Sequence, residues 1–544
     1  MQASWKSFVR PVAWTGGALA LVLAVGIAVT QMAESAQPVK RNIPPGKAVQ
    51  REASAPTPAP APCNGNFSDG SKINVANPVY LQDVPGDQLF CDFHTFAWNQ
   101  FIYLVQPTPD PQTPGQSAPR FLQMAPWYNL LKPNNPKNPP SAYPGGSTAL
   151  EGAHLDQGQA GDDDHLLDVK GALVQYDIRF NAQMYNAILQ ANTYTQAGYN
   201  AACKPGPQPN QTCANPIWLP PTAANPGGQP PAPGAMEIKT AWRDFGSPAN
   251  CPAAQFYCDG RFGLVGMHIV QKTQTHGEWI WASFEHVAND PDCLPQGDTP
   301  IAAQSPLGTS WSFFNPATAG QGVMTSQICE VSGTSPQCNA NPKYYLTQKL
   351  FIYKPVNICR TDYLPPGGAS TVNCTTIPDG PPESASNSGG NVACLNATFM
   401  PQMTGVWQNY KMIGSLWVRG TLAPTQDFRV QIFQTQQPGL PYGEPVGFPH
   451  LANTMMETWM QSGSTGYDPF GDNATQAGCF NCHNLPSSSF GADLSHFPDK
   501  LPQSVLAKRI KELLPADSTT VVTEHPMAVT ALQPANPHRP AKKK

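Results

Sequence analysis

The run Cys479-Phe480-Asn481-Cys482-His483 places two thiols and an imidazole at the spacing CxxCH. Two thiols separated by two residues can each add across one vinyl group of a single haem, and the residue that follows is then placed to bind the iron through its imidazole. The same residues serve other chemistries less well. A zinc site needs a second ligand pair at ribbon or finger spacing, and the chain has no other CxxC and no HxxxH run. Its one CxxH, Cys91-Asp92-Phe93-His94, lies far upstream in a different region. A dithiol redox site of the thioredoxin kind belongs at a strand-to-helix junction of a βαβ unit, which this neighbourhood does not show. The motif predicts one covalently bound haem c, attached through Cys479 and Cys482, with His483 as the metal ligand.

Two further groups of polar residues invite a metal. His268, Glu285 and His286 fall in Phe262 to Val287, where two β-rich runs, Phe262 to Lys272 and Glu278 to Val287, flank the polar turn Thr273-Gln274-Thr275-His276-Gly277 and read as a hairpin. If Lys272 opposes Glu278, then His268 opposes Ala282 and His286 opposes Leu264. Both histidines then share a face about four residues, ~13 Å, apart, too far for one ion. On that register Trp279, Trp281 and Glu285 share the other face, and an aromatic stripe of this kind is ordinarily packing. The acidic run Asp162-Asp163-Asp164, with Asp156 and Asp168 nearby, lacks the spacing of an EF-hand loop and reads as a solvated turn.

A haem must be enclosed, and the residues around the motif supply candidate walls. Ala452 to Gln461 is a helix candidate bearing Met455, Met456, Trp459 and Met460. A glycine-rich loop leads from it to CxxCH, and Pro502 to Leu514 then offers Val505, Leu506, Ile510, Leu513 and Leu514 at helical spacing, with Pro515 as the stop. A helix, the motif and a second helix suffice to sandwich one haem. Residues 441–515 thus resemble a small class I cytochrome c domain, with CxxCH as the specific motif. The resemblance makes Cys479 and Cys482 the thioether anchors and His483 the proximal iron ligand. It also implies a downstream methionine on the far side of the iron and a closing helix after it. The sequence departs from that pattern: Met527, in His525-Pro526-Met527, is followed by a Pro/Lys tail. The sixth ligand is therefore open among Met527, Met455, Met456, Met460, His496, His525 and no protein group.

Upstream lies a much larger body. Residues 63–440 can form a large core or two subdomains. Phe90 to Val105 carries Phe90, Phe93, Ala97, Phe101 and Leu104 at helical spacing; Leu173 to Phe180 reads as a strand and Ala182 to Gln190 as a helix. Strands are also expected at Lys343 to Tyr353, Trp417 to Leu422 and Phe428 to Phe433. Long Pro/Gly/Asn tracts intervene at Gln106 to Pro119, Lys132 to Ser147, Cys203 to Gly234 and Pro365 to Asn391. The expected fold class is α+β: a β-rich, loop-rich, disulfide-stapled body followed by a small all-α haem domain at 441–515 and a tail at 516–544.

The redox compartment follows from the remaining cysteines and the N-terminus. Twelve cysteines other than the motif pair, Cys63 through Cys394, allow six disulfides, with Cys203 and Cys213, and Cys251 and Cys258, spaced as local staples. Lys6 and Arg10 precede an apolar stretch centred on Ala18 to Val29, so residues 1–36 read as an export signal, either cleaved or kept as a single membrane anchor. Residues 37–62 end in Pro/Ala repeats and form a semi-rigid spacer. The mature chain is expected in the periplasm or otherwise outside the cytoplasm. With 12% charged residues, 61 prolines, 45 glycines and a net charge of −4, and with Lys542-Lys543-Lys544 as its one basic block, the chain offers nucleic acid no surface.

Several body segments carry a second likeness: Glu237-Ile238-Lys239-Thr240-Ala241-Trp242, Gly266-Met267-His268-Ile269-Val270-Gln271-Lys272-Thr273, Trp279-Ile280-Trp281-Ala282-Ser283-Phe284-Glu285-His286 and Leu451-Ala452-Asn453-Thr454. From about Cys91 to His496 the chain is similar to a family of large exported bacterial cytochrome c proteins. That likeness implies one architecture and the haem; it brings no substrate. Two function classes follow. A six-coordinate haem passing single electrons to a redox partner protein makes the body a scaffold. An open sixth position would instead make an oxidase, peroxidase or oxygenase, with a small-molecule substrate in the body. No nucleophile elbow, HExxH or phosphate loop occurs in the chain.

Overall fold

A computed structural model of the chain describes the greater part of residues 63–317 and 385–419, with shorter stretches elsewhere that include 444–448, 452–458, His483 and Ser495. Residues 1–62 and 496–544 lie outside the described set, and with them the export signal, the spacer, the tail and the expected Pro502 to Leu514 helix. The strand expected at Phe428 to Phe433 is also outside it.

Helix α1, Phe90–Val105, has the bounds its periodicity predicts. It is apolar nearly all round, and every residue except Tyr103 is buried, as befits a helix enclosed by its own domain. Asp92 secures its first turn by accepting hydrogen bonds from the Leu89 N–H at 3.1 Å, the Ser68 N–H at 2.7 Å and the Ser68 hydroxyl at 2.6 Å. The helix ends at Gln106, ahead of Pro107, whose ring bars the preceding residue from helical geometry.

This helix lies on an antiparallel sheet. The strands introduced in chain order are β1, Ala125–Pro126; β2, Val174–Phe180; β3, Met236–Asp244; β4, Phe262–Gln271; β5, Ile280–His286; β6, Tyr410–Arg419; and β7, Glu444–Gly447. They pair in the spatial order β7-β6-β5-β4-β3-β2-β1, with Cys258–Asp259 added to β4. Helix α2, Ala182–Gln190, also has its expected bounds; Asn181 caps it by accepting from the Met184 N–H at 3.0 Å. Just past its end Asn192 takes φ 56°, the left-handed position at which helices commonly stop. Helix α3, Ala385–Phe399, packs beside α1.

Strand side chains alternate between the two faces. One face carries Ile238, Trp242, Leu264, Met267, Ile269, Phe284 and Met412 into a core shared with α1 and α3. There Phe101 stacks on Phe284 at 4.2 Å between centroids and Trp98 meets Phe284 edge-on at 5.2 Å. Each such pair adds roughly 0.5–1.5 kcal/mol beyond area burial. The other face has an apolar cluster at each end. Ile178, Phe180, Met184, Ile188 and Trp281 gather around α2, while Val174, Tyr176, Val265, Met455 and Met456 form the second cluster.

The structure corrects several expectations. In the β4–β5 hairpin His268 opposes Ser283 rather than Ala282, and Val270 opposes Trp281. Trp279 takes φ 93° outside the pairing, so β5 starts at Ile280 and the register moves by one residue. With a side-chain period of two, that slip reverses the face of one strand relative to the other. His268, Trp281 and Glu285 therefore share a face, and His286 lies on the opposite one. Lys343 to Tyr353 is a pair of short antiparallel strands, Tyr345–Thr347 and Leu350–Ile352, rather than one strand. The strand expected to start at Trp417 begins at Tyr410. Residues 452–458 form a turn rather than a helix. β7 joins the body's sheet, and residues 452–458 are built into the body's interior.

Disulfides join Cys63 to Cys91, Cys251 to Cys258 and Cys374 to Cys394, and Cys359 is also disulfide-bonded. The expected local staple at Cys251 and Cys258 is thus present; Cys203 and Cys213 lie outside the described residues. No described helix is long and apolar enough to cross a membrane. The Cys63–Cys91 bridge ties the chain's entry into the body to the first turn of α1. Its removal in a Cys63→Ala/Cys91→Ala variant is expected to cost about 3 kcal/mol of stability, measured by urea melting; an unchanged midpoint would show that α1 is held without it.

Candidate functional site

Central strands of a covered sheet are normally buried along their length, and β3 and β4 depart from this at four positions. Glu237, Lys239, His268 and Val270 are half-buried, while every other residue of the two strands is buried. Glu237 pairs with Val270 and Lys239 with His268, so the four adjoin one another on a single face. This opening lies between the two apolar clusters of that face. Its next neighbours on β5 are Trp281, opposite Val270, and Ser283, opposite His268.

The motif histidine lies at the edge of this opening. The His483 ring meets the Trp281 indole at 4.3 Å between centroids, with the planes 66° apart. Twelve residues further on, the Ser495 hydroxyl donates to Glu237 Oε2 at 2.6 Å. Two points of the C-terminal chain, on either side of the residues that follow CxxCH, thus contact the same patch of sheet. Cys479 and Cys482 lie outside the described residues.

His268 is held from one side. Its Nε2 donates to both oxygens of Glu457, at 2.9 and 3.0 Å, and Glu457 Oε2 also accepts the Asn453 N–H at 2.9 Å. Burial pushes the Glu457 carboxyl up, but His268, Lys239 and the Asn453 N–H outweigh it and hold the group below the ordinary glutamate range.

The turn that presents Glu457 is clamped to the sheet by polar groups. Asn453 Nδ2 donates to Ser283 Oγ and to the Phe284 carbonyl, both at 3.1 Å, and Tyr176 donates its hydroxyl to the Met455 carbonyl at 2.8 Å. Asn453 lies so close over Gly266 that a Cβ there would come within 2.9 Å of its Oδ1. Beneath the turn Glu285 pairs with Arg360 and accepts the Thr454 N–H at 2.5 Å; Arg360 in turn donates to the Ala452 carbonyl at 3.1 Å. The Thr454 hydroxyl donates to Asp290 Oδ1 at 2.9 Å. Asp290 is buried beside Glu285, and these two causes push its carboxyl up to about 7 despite the opposing charge of Arg360.

Only part of the sequence-predicted set assembles here. His268 and His483 share this region of the face; Glu285 shares the face but belongs to the clamp. His286, on the opposite face, uses both ring nitrogens: Nε2 donates to the Gln255 carbonyl at 2.5 Å and Nδ1 accepts the Ala288 N–H at 3.2 Å. Burial pulls it down to about 3, so it is a neutral structural histidine. Met455 and Met456 are packed in the body with Tyr176, Val265, Phe313 and Ile358, as ordinary core side chains. Met460, Met527, His496 and His525 lie outside the described residues. Asp168 is buried, paired with Arg243, and accepts the Lys170 and Ala172 N–H groups, which gives it a structural role. Asp156 and Asp162 to Asp164 are outside the described set. Among the described residues no group of three or more His, Cys, Asp or Glu could hold a metal ion.

Sequence reasoning passed over Glu237, Lys239 and Glu457. A signal for the first two exists, since Glu237-Ile238-Lys239 alternates charged and apolar residues in a central strand. Glu457 had none, because its partner lies 189 residues away. No protein-family model, curated protein or solved structure matches the chain.

The clamp carries a pH dependence. Folded Asp290 releases its proton near pH 7 and an unfolded aspartate near pH 4, so the folded chain holds an extra proton across that window, and stability falls as pH climbs from ~4 to ~7. Asp290→Asn keeps an acceptor for Thr454 and has no proton to lose. Its denaturation midpoint is expected to vary less between pH 5 and pH 8 than that of the wild type; an identical slope in both would place the pH dependence elsewhere.

Proposed function

We propose that this chain is an exported c-type cytochrome that carries one haem c on Cys479, Cys482 and His483 and passes single electrons to a redox partner protein. The observation that carries this reading is the seating of the motif histidine against Trp281, beside a half-open patch in an otherwise buried sheet face. A proximal imidazole needs a wall that fixes its ring and keeps water off one side, and a buried tryptophan supplies both. The patch supplies Val270 as apolar surface, and Glu237, Lys239 and His268 as polar groups at its margin.

When bound, a c-type haem supplies a one-electron iron couple whose potential depends on its ligands, hydrogen bonds and burial. The chain's own residues do the rest. Trp281 orients the His483 ring. The Ser495 to Glu237 hydrogen bond ties down the chain beyond the motif. The clamped turn at 452–458 fixes the start of the segment that leads to it.

The disulfides Cys63–Cys91, Cys251–Cys258 and Cys374–Cys394 support placement in an oxidising compartment such as the periplasm, with residues 1–36 as the export signal or a single anchor. The large body accounts for its size by building the seat: the patch draws its residues from three strands, and the clamp needs Arg360 and the β5 strand as well.

Protein purified from the periplasm of a host with haem-attachment machinery is expected to keep one haem per chain through a denaturing gel, and Cys479→Ala/Cys482→Ala to lose it. Trp281→Ala should keep the covalent haem and show a lower reduction potential, because water gains access to it. A haem-free wild type would sink the proposal.

A further inference from the structure

We infer that Glu285, Asp290 and Arg360 form a proton-operated latch, which holds the turn at 452–458 on the sheet while Asp290 carries a proton and lets it lift from His268 when that proton leaves. The inference stands apart from the cytochrome reading. Charge is the first ground for it. All three side chains are buried, and the guanidinium pairs with Glu285. Asp290 receives the Thr454 hydroxyl on Oδ1, and among the described residues its Oδ2 has no hydrogen-bond partner. Two carboxyls thus share one buried cation, and the one with fewer hydrogen bonds holds a proton more readily. The other charged groups around the cluster, Lys411 opposite Glu285 on β6 and Asp292 beside Arg360, are only half-buried and act on Asp290 less than Glu285 and Arg360 do.

Attachment is the second. Thr454 touches both carboxyls, giving its N–H to Glu285 and its hydroxyl to Asp290, and the Ala452 carbonyl accepts from Arg360. The turn belongs to no strand of the sheet, and its other ties to it are side-chain bonds, from Asn453 to Ser283 and the Phe284 carbonyl and from Tyr176 to the Met455 carbonyl. An element tied by side chains rather than by a ladder can open while the sheet stays folded. Its outer end is Glu457, whose carboxylate binds His268, so lifting the turn withdraws that carboxylate and releases the ring to water. The polar character of the half-open patch is thereby graded by pH. Met455 and Met456, packed in the core, keep the closed turn dominant, so the latch sets the population of an open minority.

The sign of the effect follows from where the proton is held. Burial and then Glu285 push Asp290 up to about 7 in the closed turn, and in the open turn it returns to the ordinary aspartate value near 4. The closed turn is therefore weakened as pH rises from ~4 to ~7, and no further above that. Glu457 acts in the opposite sense. Burial raises its carboxyl but His268 and Lys239 hold it below the ordinary glutamate range, so its contribution is complete at neutral pH and is lost only under acid.

Hydrogen exchange of the full-length protein, followed by mass spectrometry from pH 5 to pH 8 and corrected for the intrinsic pH dependence of exchange, gives the test. The opening equilibrium read from residues 453–457 is expected to rise on the order of 100-fold across that range in the wild type and to level off above pH ~7. Those residues should also exchange faster than the amides of α1 at every pH. Asp290→Asn, which has no proton to lose, should change less than about threefold over the same range. A flat wild-type profile overturns the latch whether or not the variant folds. A rise that Asp290→Asn retains in full overturns it too and assigns the pH dependence to the His268–Glu457 pair. Equal protection of the turn and of α1 would make the opening global and overturn it as well. None of these outcomes depends on the presence of haem, so a chain without covalent haem sinks the cytochrome reading and leaves the latch to stand or fall by its own profile.

Discussion

The pairing of Val270 with Trp281 fixes most of what this protein presents. Side chains of a strand alternate, so the register of one hairpin decides which residues of β4 can meet which of β5. In the observed register His268, Val270, Trp281, Ser283 and Glu285 share a face, and the apolar core against α1 takes Ile269, Ala282 and Phe284. A slip of one residue between the strands would set His268 and Trp281 on opposite faces. The left-handed turn at Trp279 holds the register in place.

That face is divided between apolar and polar jobs. Its two ends are closed by apolar clusters, one around α2 and one beneath Met455 and Met456. Between them Glu237, Lys239, His268 and Val270 leave the sheet half-open. Closing the second end requires burying the turn at 452–458, whose backbone groups cannot all bond within the turn. Glu285, Arg360, Tyr176 and the Asn453 side-chain oxygen meet that requirement, and Asp290 takes the Thr454 hydroxyl, since a buried polar group without a partner costs ~1–3 kcal/mol. The clamp and the half-open patch are then mechanically one structure: the turn that seals the core also presents Glu457 to His268.

Long local patterns were legible in the sequence. The periodicities of 90–105 and 182–190 matched helices with those bounds, because each buries an apolar surface and each ends at a local stop. The 262–287 hairpin was legible as a pair of strands, but its register was not, because the turn conformation at Trp279 has no propensity signal. Over 452–458, the described part of the helix expected at 452–461, the chain forms a turn for an instructive reason. Glu285 on the sheet takes the Thr454 N–H, and the Asn453 side chain takes the Met455 N–H, so these backbone groups find partners outside a helical ladder.

From its own order of residues the chain set two thiols and an imidazole beside one another in CxxCH, the local arrangement on which the proposed haem attachment rests. It likewise determined α1, α2 and the existence of the hairpin, each a matter of local pattern. Only the tertiary structure decided which distant groups meet. The contact of His483 with Trp281, the bond from Ser495 to Glu237 and the pairing of His268 with Glu457 each join residues about two hundred or more positions apart. Such contacts arise from strand order and register, which depend on the packing of the whole sheet and are absent from any window of sequence.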